Sequence, residues 1–382
     1  MIRLLLLLSL ALLCKPLSIK AQHNTPLPTS VLIQIDSLFA DYQSVETPGY
    51  AIGISQNGET VLKKGYGAAN LDYEIPISTR SMFSLASVSK RFTAACIALL
   101  ILDGDLDLET PVLRFFPELK KYPDTVRLKH LLYNTSGLHE CYDLSRKGAQ
   151  SWISFNYFEI EECLELALAV DTLRFQPGTR WNYQNVNWMM LAKIVEQVSD
   201  QSFPAFAKAR LFEPLGMQST FFHTDATAIV KNRVTPYNHR TAEYIQAYAE
   251  QGVTILPEGD YLQHPRVSPH YGGSGLMSNI EDLLRWNAAM HDRKLGADFY
   301  DLMHHTPKFD HDRDNQALGL YFSNLDGRTK IAWDGGDYGI SSQMMRFPDQ
   351  GVAIIVLSNL GSGEAWRKAD EIARILMKAG KL

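Results

Sequence analysis

The chain has 382 residues, 46% hydrophobic and 21% charged, the balance of a globular protein with ample length for a sizeable core. Its formal net charge of -5 is mild, and no basic stretch or block of like charge interrupts it. An electrostatic nucleic-acid binder is thereby excluded, and no internal repeat or low-complexity run is visible.

The first 21 residues have the pattern of a targeting segment. Met1-Ile2-Arg3 is a short basic start, Leu4 to Leu13 is almost wholly apolar, and Ala21 ends a processing-type stretch. This predicts a signal peptide over 1–21 and a periplasmic or secreted protein. The apolar run is about ten residues, too short to span a bilayer, so no membrane span is expected. Cys14 offers lipid anchoring as an alternative, although Leu13 before it is larger than the small residue such a site calls for. The polar, Pro-containing residues 22–29 are expected to form a disordered leader. Without residues 1–21 the cysteines are Cys96, Cys141 and Cys163, and three cannot complete a disulfide framework. Cys96 falls in an apolar segment and is expected to be a buried small hydrophobe.

Further along, Val31 to Tyr42 has helical periodicity, with Val31, Ile35, Leu38, Phe39 and Tyr42 on one side. Gly49 to Ser55 reads as a strand, Asn57-Gly58 as a tight turn and Thr60 to Lys64 as the return, a strong hairpin signal. Phe92 to Leu102 is apolar nearly all round, which predicts a buried helix rather than an amphipathic one, stopping at Asp103-Gly104. From about 131 to 264 helical patterns alternate with Pro and Gly, clearest over Trp188 to Val198. Gln343 to Phe347, a turn at 348–351 and Val352 to Leu357 read as a second hairpin, and Ala365 to Lys378 as a closing amphipathic helix. Strands at both ends and helices between predict an α/β (α+β) fold: an antiparallel sheet built from both termini and flanked by helices, its α/β part spanning 30–130 and 265–382, with an all-helical insert over 131–264.

The chemistry-bearing stretch is Ser87-Val88-Ser89-Lys90, which runs into the predicted buried helix. On a helix Ser87 and Lys90 share a face, roughly 5–6 Å apart at Cβ. A serine hydroxyl is a poor nucleophile without a nearby base. A lysine can serve once burial lowers its pKa. Roughly one such tetrad is expected by chance in a chain this long. Taken alone, the tetrad fits a helix start with a capping serine and a solvated lysine better.

Three further segments give the tetrad its context: Leu131-Leu132-Tyr133-Asn134-Thr135-Ser136-Gly137-Leu138, Pro177-Gly178-Thr179-Arg180-Trp181-Asn182-Tyr183-Gln184-Asn185, and Trp333-Asp334-Gly335-Gly336 leading into Phe347-Pro348. In this order they resemble the serine β-lactamase and penicillin-binding-protein superfamily, most nearly its class C β-lactamase-like branch of esterases, D-aminopeptidases and DD-peptidases. The resemblance runs from about Leu27 to the end, including Phe212 to Met217. It implies that Ser87 is the nucleophile of an acyl-enzyme and that Lys90 keeps the proton network poised. Tyr183 would shuttle protons to the leaving group, and Asn185 would hold Lys90 and the substrate. The N–H groups of Ser87 and Gly336 would form the oxyanion hole. It implies no metal or organic cofactor.

The chain departs from the pattern at two places. Position 333 is usually Lys or His in such proteins, and this chain has Trp333, an apolar wall with one N–H donor. The expected substrate is therefore a neutral ester or small amide, with a D-amino-acid or cell-wall peptide, or a weakly hydrolysed β-lactam, as the alternative. A non-catalytic binder on the same fold is the reading from another class. Arg346 could restore a charge from the neighbouring strand. The second departure is Asn134, where relatives often have His, and it is expected to shape a turn.

Other features have plainer readings. His304 and His305 with Asp310, His311 and Asp312 match no metal spacing and suit a solvated loop. His139 suits the surface. Trp152, Phe155, Tyr157 and Phe158 suit either core packing or an acyl pocket. Tyr271-Gly272-Gly273-Ser274-Gly275 lacks the setting of a phosphate loop and is expected to pack near the active site.

Overall fold

The computed structural model describes residues 26–123, 125–145, 159–250, 252–264, 270–309 and 315–382. The expected signal peptide, Cys14, the aromatic run at 152–158 and Asp310, His311 and Asp312 lie outside the described residues. Leu27, expected in a disordered leader, is buried. No helix among the described residues is long and apolar enough to cross a membrane.

The first helix, α1, covers Thr29–Ser37, and a 3₁₀ turn over Ala40–Tyr42 completes the predicted segment. Strands β1 (Tyr50–Gln56) and β2 (Glu59–Tyr66) form the predicted hairpin. Its turn needs two successive left-handed residues, and Asn57 (φ 51°) and Gly58 (φ 80°) supply them. The apolar segment forms helix α2, Ser89–Leu102, buried from Ser89 to Leu100. Helix α3 covers Asn185–Ser199 and helix α4 Ile280–His291. The chain then lays down β3 (Gln316–Ala317), β4 (Leu320–Leu325), β5 (Arg328–Asp337), β6 (Ile340–Phe347) and β7 (Val352–Ser358), and closes with helix α5, Ala365–Lys378.

The seven strands make one antiparallel sheet in the order β3-β4-β5-β6-β7-β1-β2. The termini meet where β1 pairs with β7, from Tyr50 opposite Ser358 to Gln56 opposite Val352. Side chains alternate across a strand, so β1 serves two cores. Tyr50, Ile52 and Ile54 face α1 and α5, together with Met345 and Val356. Ala51 faces the larger core under α2 and α4, together with Met344 and Leu357. There Phe92 of α2 is fully buried, its ring 4.6 Å from that of Trp286.

Helices dominate the 131–264 region as the pattern predicts, but it is not purely helical. Phe221–Phe222 pairs with Leu276–Ser278, and Tyr237–His239 pairs with Tyr261–Gln263. Strands of two or three residues are too short to leave an alternating pattern in sequence. The three cysteines resolve into one bridge, Cys141–Cys163 with Cα atoms 5.1 Å apart, and one buried thiol, Cys96. The bridge joins the short Cys141–Leu144 helix to the Ile160–Ala169 helix.

Candidate active site

Ser87 sits in a 3₁₀ turn, Ala86–Val88, that leads directly into α2. Ala86 before it has φ 45°, a left-handed conformation that costs a non-glycine residue and turns the chain sharply. Two contacts hold this turn. Ser342 of β6 donates to the carbonyl of Leu85 at 2.8 Å. Gly335 of β5 lies so close that a Cβ there would meet the Leu85 carbonyl and sit 3.0 Å from the Ser87 nitrogen. Glycine is required by this approach of the strand, and Gly336 follows it into the cleft.

The tetrad geometry matches the helical spacing. Lys90 Nζ donates to Ser87 Oγ at 3.1 Å. It also donates to Asn185 Oδ1 at 3.0 Å and to the Gly273 carbonyl at 2.7 Å. Three oxygen partners account for its three protons when charged. Ser87 Oγ shares a 2.6 Å hydrogen bond with the Tyr183 hydroxyl. Lys90 Nζ also lies 4.7 Å from the centre of the Tyr183 ring.

These distances set the acid–base character of the site. Lys90 is fully buried, and that burial lowers its pKa from its ordinary value to about 7. The carboxylates of Glu140, Asp337 and Asp334 pull it back up. Burial pushes Tyr183 far above the usual phenol range; the Ser87 hydrogen bond opposes this, while Glu140 and Asp334 add to it. Lys90 is therefore the group that can be neutral near neutral pH, while Tyr183 keeps its proton.

Tyr183 and Asn185 are held from below. Asn182 donates its N–H to the Asn134 carbonyl at 2.8 Å, Gln184 donates to the Leu138 carbonyl, and Ser136 donates to Asn187 Oδ1 at 2.7 Å. Asn134 has φ 55° and accepts from Trp188 Nε1 at 3.1 Å, so it does shape a turn. The Gly-rich run packs against the site as expected. Beyond the Gly273 contact, Thr93 of α2 donates to the Gly272 carbonyl at 2.6 Å.

Ser87, Tyr183, Asn185 and Gly336 line one cleft of about 220 Å³. Trp333 is not among its lining residues. That indole is 5% exposed and packs in the core, with ring centres 6.3 Å from Trp188 and 5.4 Å from Tyr321. Arg346 does not supply the missing cation either. It is buried, its guanidinium 5.8 Å from the centre of the Tyr300 ring, and it lines a small separate pocket with Asn287 and His291. The arginine that does line the cleft is Arg233, with Tyr142, His270, Asp337 and Tyr338. No spacing in the sequence marks these residues as a set, because they reach the cleft from separate parts of the chain, Tyr142 from the Cys141–Leu144 helix and Asp337 from the end of β5.

His304 is partly buried, stacked on Tyr300, and makes a 2.6 Å Nδ1 contact with the Tyr300 carbonyl, which is packing rather than an open loop. His139, expected at the surface, is half-buried. Among the described residues one group of donors is close enough together for a metal, Glu140, Cys141 and Cys163, and its cysteines are joined to each other.

Residues 35–377 match the family model described as Beta-lactamase. The chain belongs to the Beta-lactamase family. Among its relatives is penicillin-binding protein 4* of Bacillus subtilis (strain 168), 27% identical over 316 residues, covering 80% of this chain and 66% of that one. A D-aminopeptidase of Gluconobacter oxydans (strain 621H) is 23% identical over 334 residues, covering 86% of this chain and 59% of that one. This family member thus spans roughly three-fifths to two-thirds of the length of these two relatives. The D-amino acid amidase of Ochrobactrum anthropi SV3, in complex with D-phenylalanine, shares the fold with a TM-score of 0.75 at 18% identity, covering 92% of this chain and all of that one.

Proposed function

We propose that this member of the family is a serine hydrolase that cleaves a small ester or amide through an acyl-enzyme on Ser87. The observation that carries the reading is the set of contacts joining Ser87, Lys90, Tyr183 and Asn185. A helix start with a solvated lysine would leave Lys90 in water, whereas here it is fully buried.

In acylation, neutral Lys90 accepts the Ser87 proton as Oγ forms its bond to the substrate carbonyl carbon. The carbonyl oxygen becomes an oxyanion facing the N–H groups of Ser87 and Gly336, a contribution worth about 10²–10³ in rate per donor. When the intermediate collapses, the bond to the leaving alkoxide or amine breaks. The proton held by Lys90 passes to the leaving atom through the Tyr183 hydroxyl. Water then attacks the acyl-enzyme by the reverse relay, which returns the proton to Ser87 and releases the acid.

The burial of Trp333 and Arg346 supports a substrate without a carboxylate at that position. Arg233 in the cleft favours a second reading, in which a peptide-like substrate carries a carboxylate toward the Arg233 side. The relatives that act on D-amino-acid compounds are consistent with either. Export from the cytoplasm is part of the proposal and rests on residues 1–21.

The test is hydrolysis of p-nitrophenyl butyrate and of a D-amino acid p-nitroanilide by the wild type and by Ser87→Ala. Turnover lost in the variant supports the acyl-enzyme. Equal turnover in both removes Ser87 from the reaction, and turnover of neither substrate moves the weight to a binding protein.

A further inference from the structure

Glu140 is a half-buried acid beside the cleft residues to which the mechanism above gives no part. It follows the Ser136-Gly137-Leu138 turn, and its Oε2 accepts the backbone N–H of Asn185 at 2.6 Å. The same oxygen lies 3.4 Å from Asn185 Nδ2. Asn185 is the first residue of α3, where the backbone N–H has no partner inside the helix and negative charge is favoured. The other end of the Asn185 amide, Oδ1, accepts from Lys90. One residue therefore links Glu140 to the base. The next residue, Cys141, is tied by its bridge to the Ile160–Ala169 helix, so the carboxylate is anchored from its own backbone side as well.

We propose that Glu140 is a positioning residue of this acyl-transfer site: its carboxylate seats the start of α3 so that Asn185 meets Lys90, and supplies the negative charge against which the Lys90 ammonium forms. The inference rests on the Ser87 acyl-enzyme reading. A cation created in a buried site needs a compensating charge. The charged groups facing Lys90 are Glu140, Asp337 and Asp334, with the Tyr183 ring beside it. Those facing Glu140 are Lys90 and Asp143, with the N–H groups of Asn185 and Cys141. Burial raises the Glu140 pKa, and the two N–H groups and Lys90 oppose that rise. Asp337 and Asp334 are on β5, whereas Glu140 alone of the three acids also holds the backbone of the Tyr183-Gln184-Asn185 segment.

The experiment reads the rate of Ser87 labelling by a fluorophosphonate against pH, which requires no knowledge of the substrate. Wild type, Glu140→Gln, Glu140→Asp and Ser87→Ala are compared, each with its circular dichroism and thermal midpoint. Glu140→Gln keeps an oxygen for the Asn185 N–H but loses the charge. Its labelling limb is expected to move to lower pH by about one unit, the scale of one nearby opposite charge. Its plateau rate should fall about tenfold, because a weaker base accepts the proton less readily. Glu140→Asp keeps the charge with a shorter reach, so its limb should stay in place while its rate falls. A purely structural role would lower the rate at every pH and leave the limb of Glu140→Gln where it was, and that result overturns the proposal. If Glu140→Gln does not fold, Glu140→Asn is read against Glu140→Asp, which has the same reach and keeps the charge: a limb shifted to lower pH in Glu140→Asn alone supports the role, and the same limb in both overturns it. Wild-type protein that Ser87→Ala matches in labelling would instead overturn the acyl-enzyme reading itself.

Discussion

The hydroxyls of Ser87 and Tyr183 share a hydrogen bond of 2.6 Å although 96 positions separate them in the chain. Ser87 arrives on the turn before α2 and Tyr183 on the segment before α3, so the mouths of two helices meet at one cleft. Ser87 Oγ thus meets both the Tyr183 hydroxyl and the Lys90 amine, which in the proposed reaction are relay and base. Removing either partner should act on the chemical step more than on binding.

Tyr183→Phe deletes the shared hydrogen bond and keeps the ring. We expect kcat on an activated ester to fall by about 10²-fold or more, the usual scale for a positioned proton relay, with KM little changed. Steady-state kinetics on p-nitrophenyl butyrate checks this. A loss confined to KM would make Tyr183 a binding residue.

The pH dependence follows from Lys90. Its pKa is lowered to about 7, and the base of the proposed reaction is the neutral amine, so the competent fraction grows as pH rises through that value. We expect kcat/KM to climb across pH 6 to 8 and then level. A profile flat from pH 6 to pH 9 would show that Lys90 is not the base in the free enzyme.

Gly335 and Gly336 are adjacent but should respond differently. A methyl at Gly335 meets the Leu85 carbonyl and the Ser87 nitrogen, whereas one at Gly336 meets nothing within 4 Å. Gly335→Ala should lower the rate of Ser87 phosphonylation by at least about tenfold, since a small misplacement of a reacting atom is costly. Gly336→Ala should stay within a few-fold of wild type. Equal effects at the two positions would mean that the strand does not set the nucleophile.

The Cys141–Cys163 bridge closes a loop of sequence separation 22, which corresponds to about 3 kcal/mol of stability from restricting the unfolded chain. Cys163→Ser should lower the thermal midpoint by several degrees. Because Cys141 stands between Glu140 and the cleft residue Tyr142, hydrolysis should fall as well. Calorimetry and kinetics on the reduced and oxidised wild type give the same comparison without a mutation. Identical midpoints would mean that the two helices hold together without the bridge.

Local sequence determined the elements whose signal is short-range. Asn57-Gly58 set the first hairpin because both residues accept positive φ, and the apolar periodicity of Ala365–Lys378 marked α5 over its full length. The continuous apolar run after Ser87 specified a buried helix, and helical geometry alone put Lys90 within reach of Ser87. Tertiary structure decided what surrounds that pair. The Gly273 carbonyl that holds Lys90 is 183 positions away, and the Glu140 carboxylate that caps Asn185 is 45 away. No periodicity spans such distances, because these contacts depend on how β5, α2 and α3 stack rather than on any segment's own preference. The same packing drew Trp333 into the core and buried Arg346 away from the cleft, beside Tyr300. It brought Arg233 to the cleft, so the charge a substrate meets was set by the folded arrangement and not by the motif.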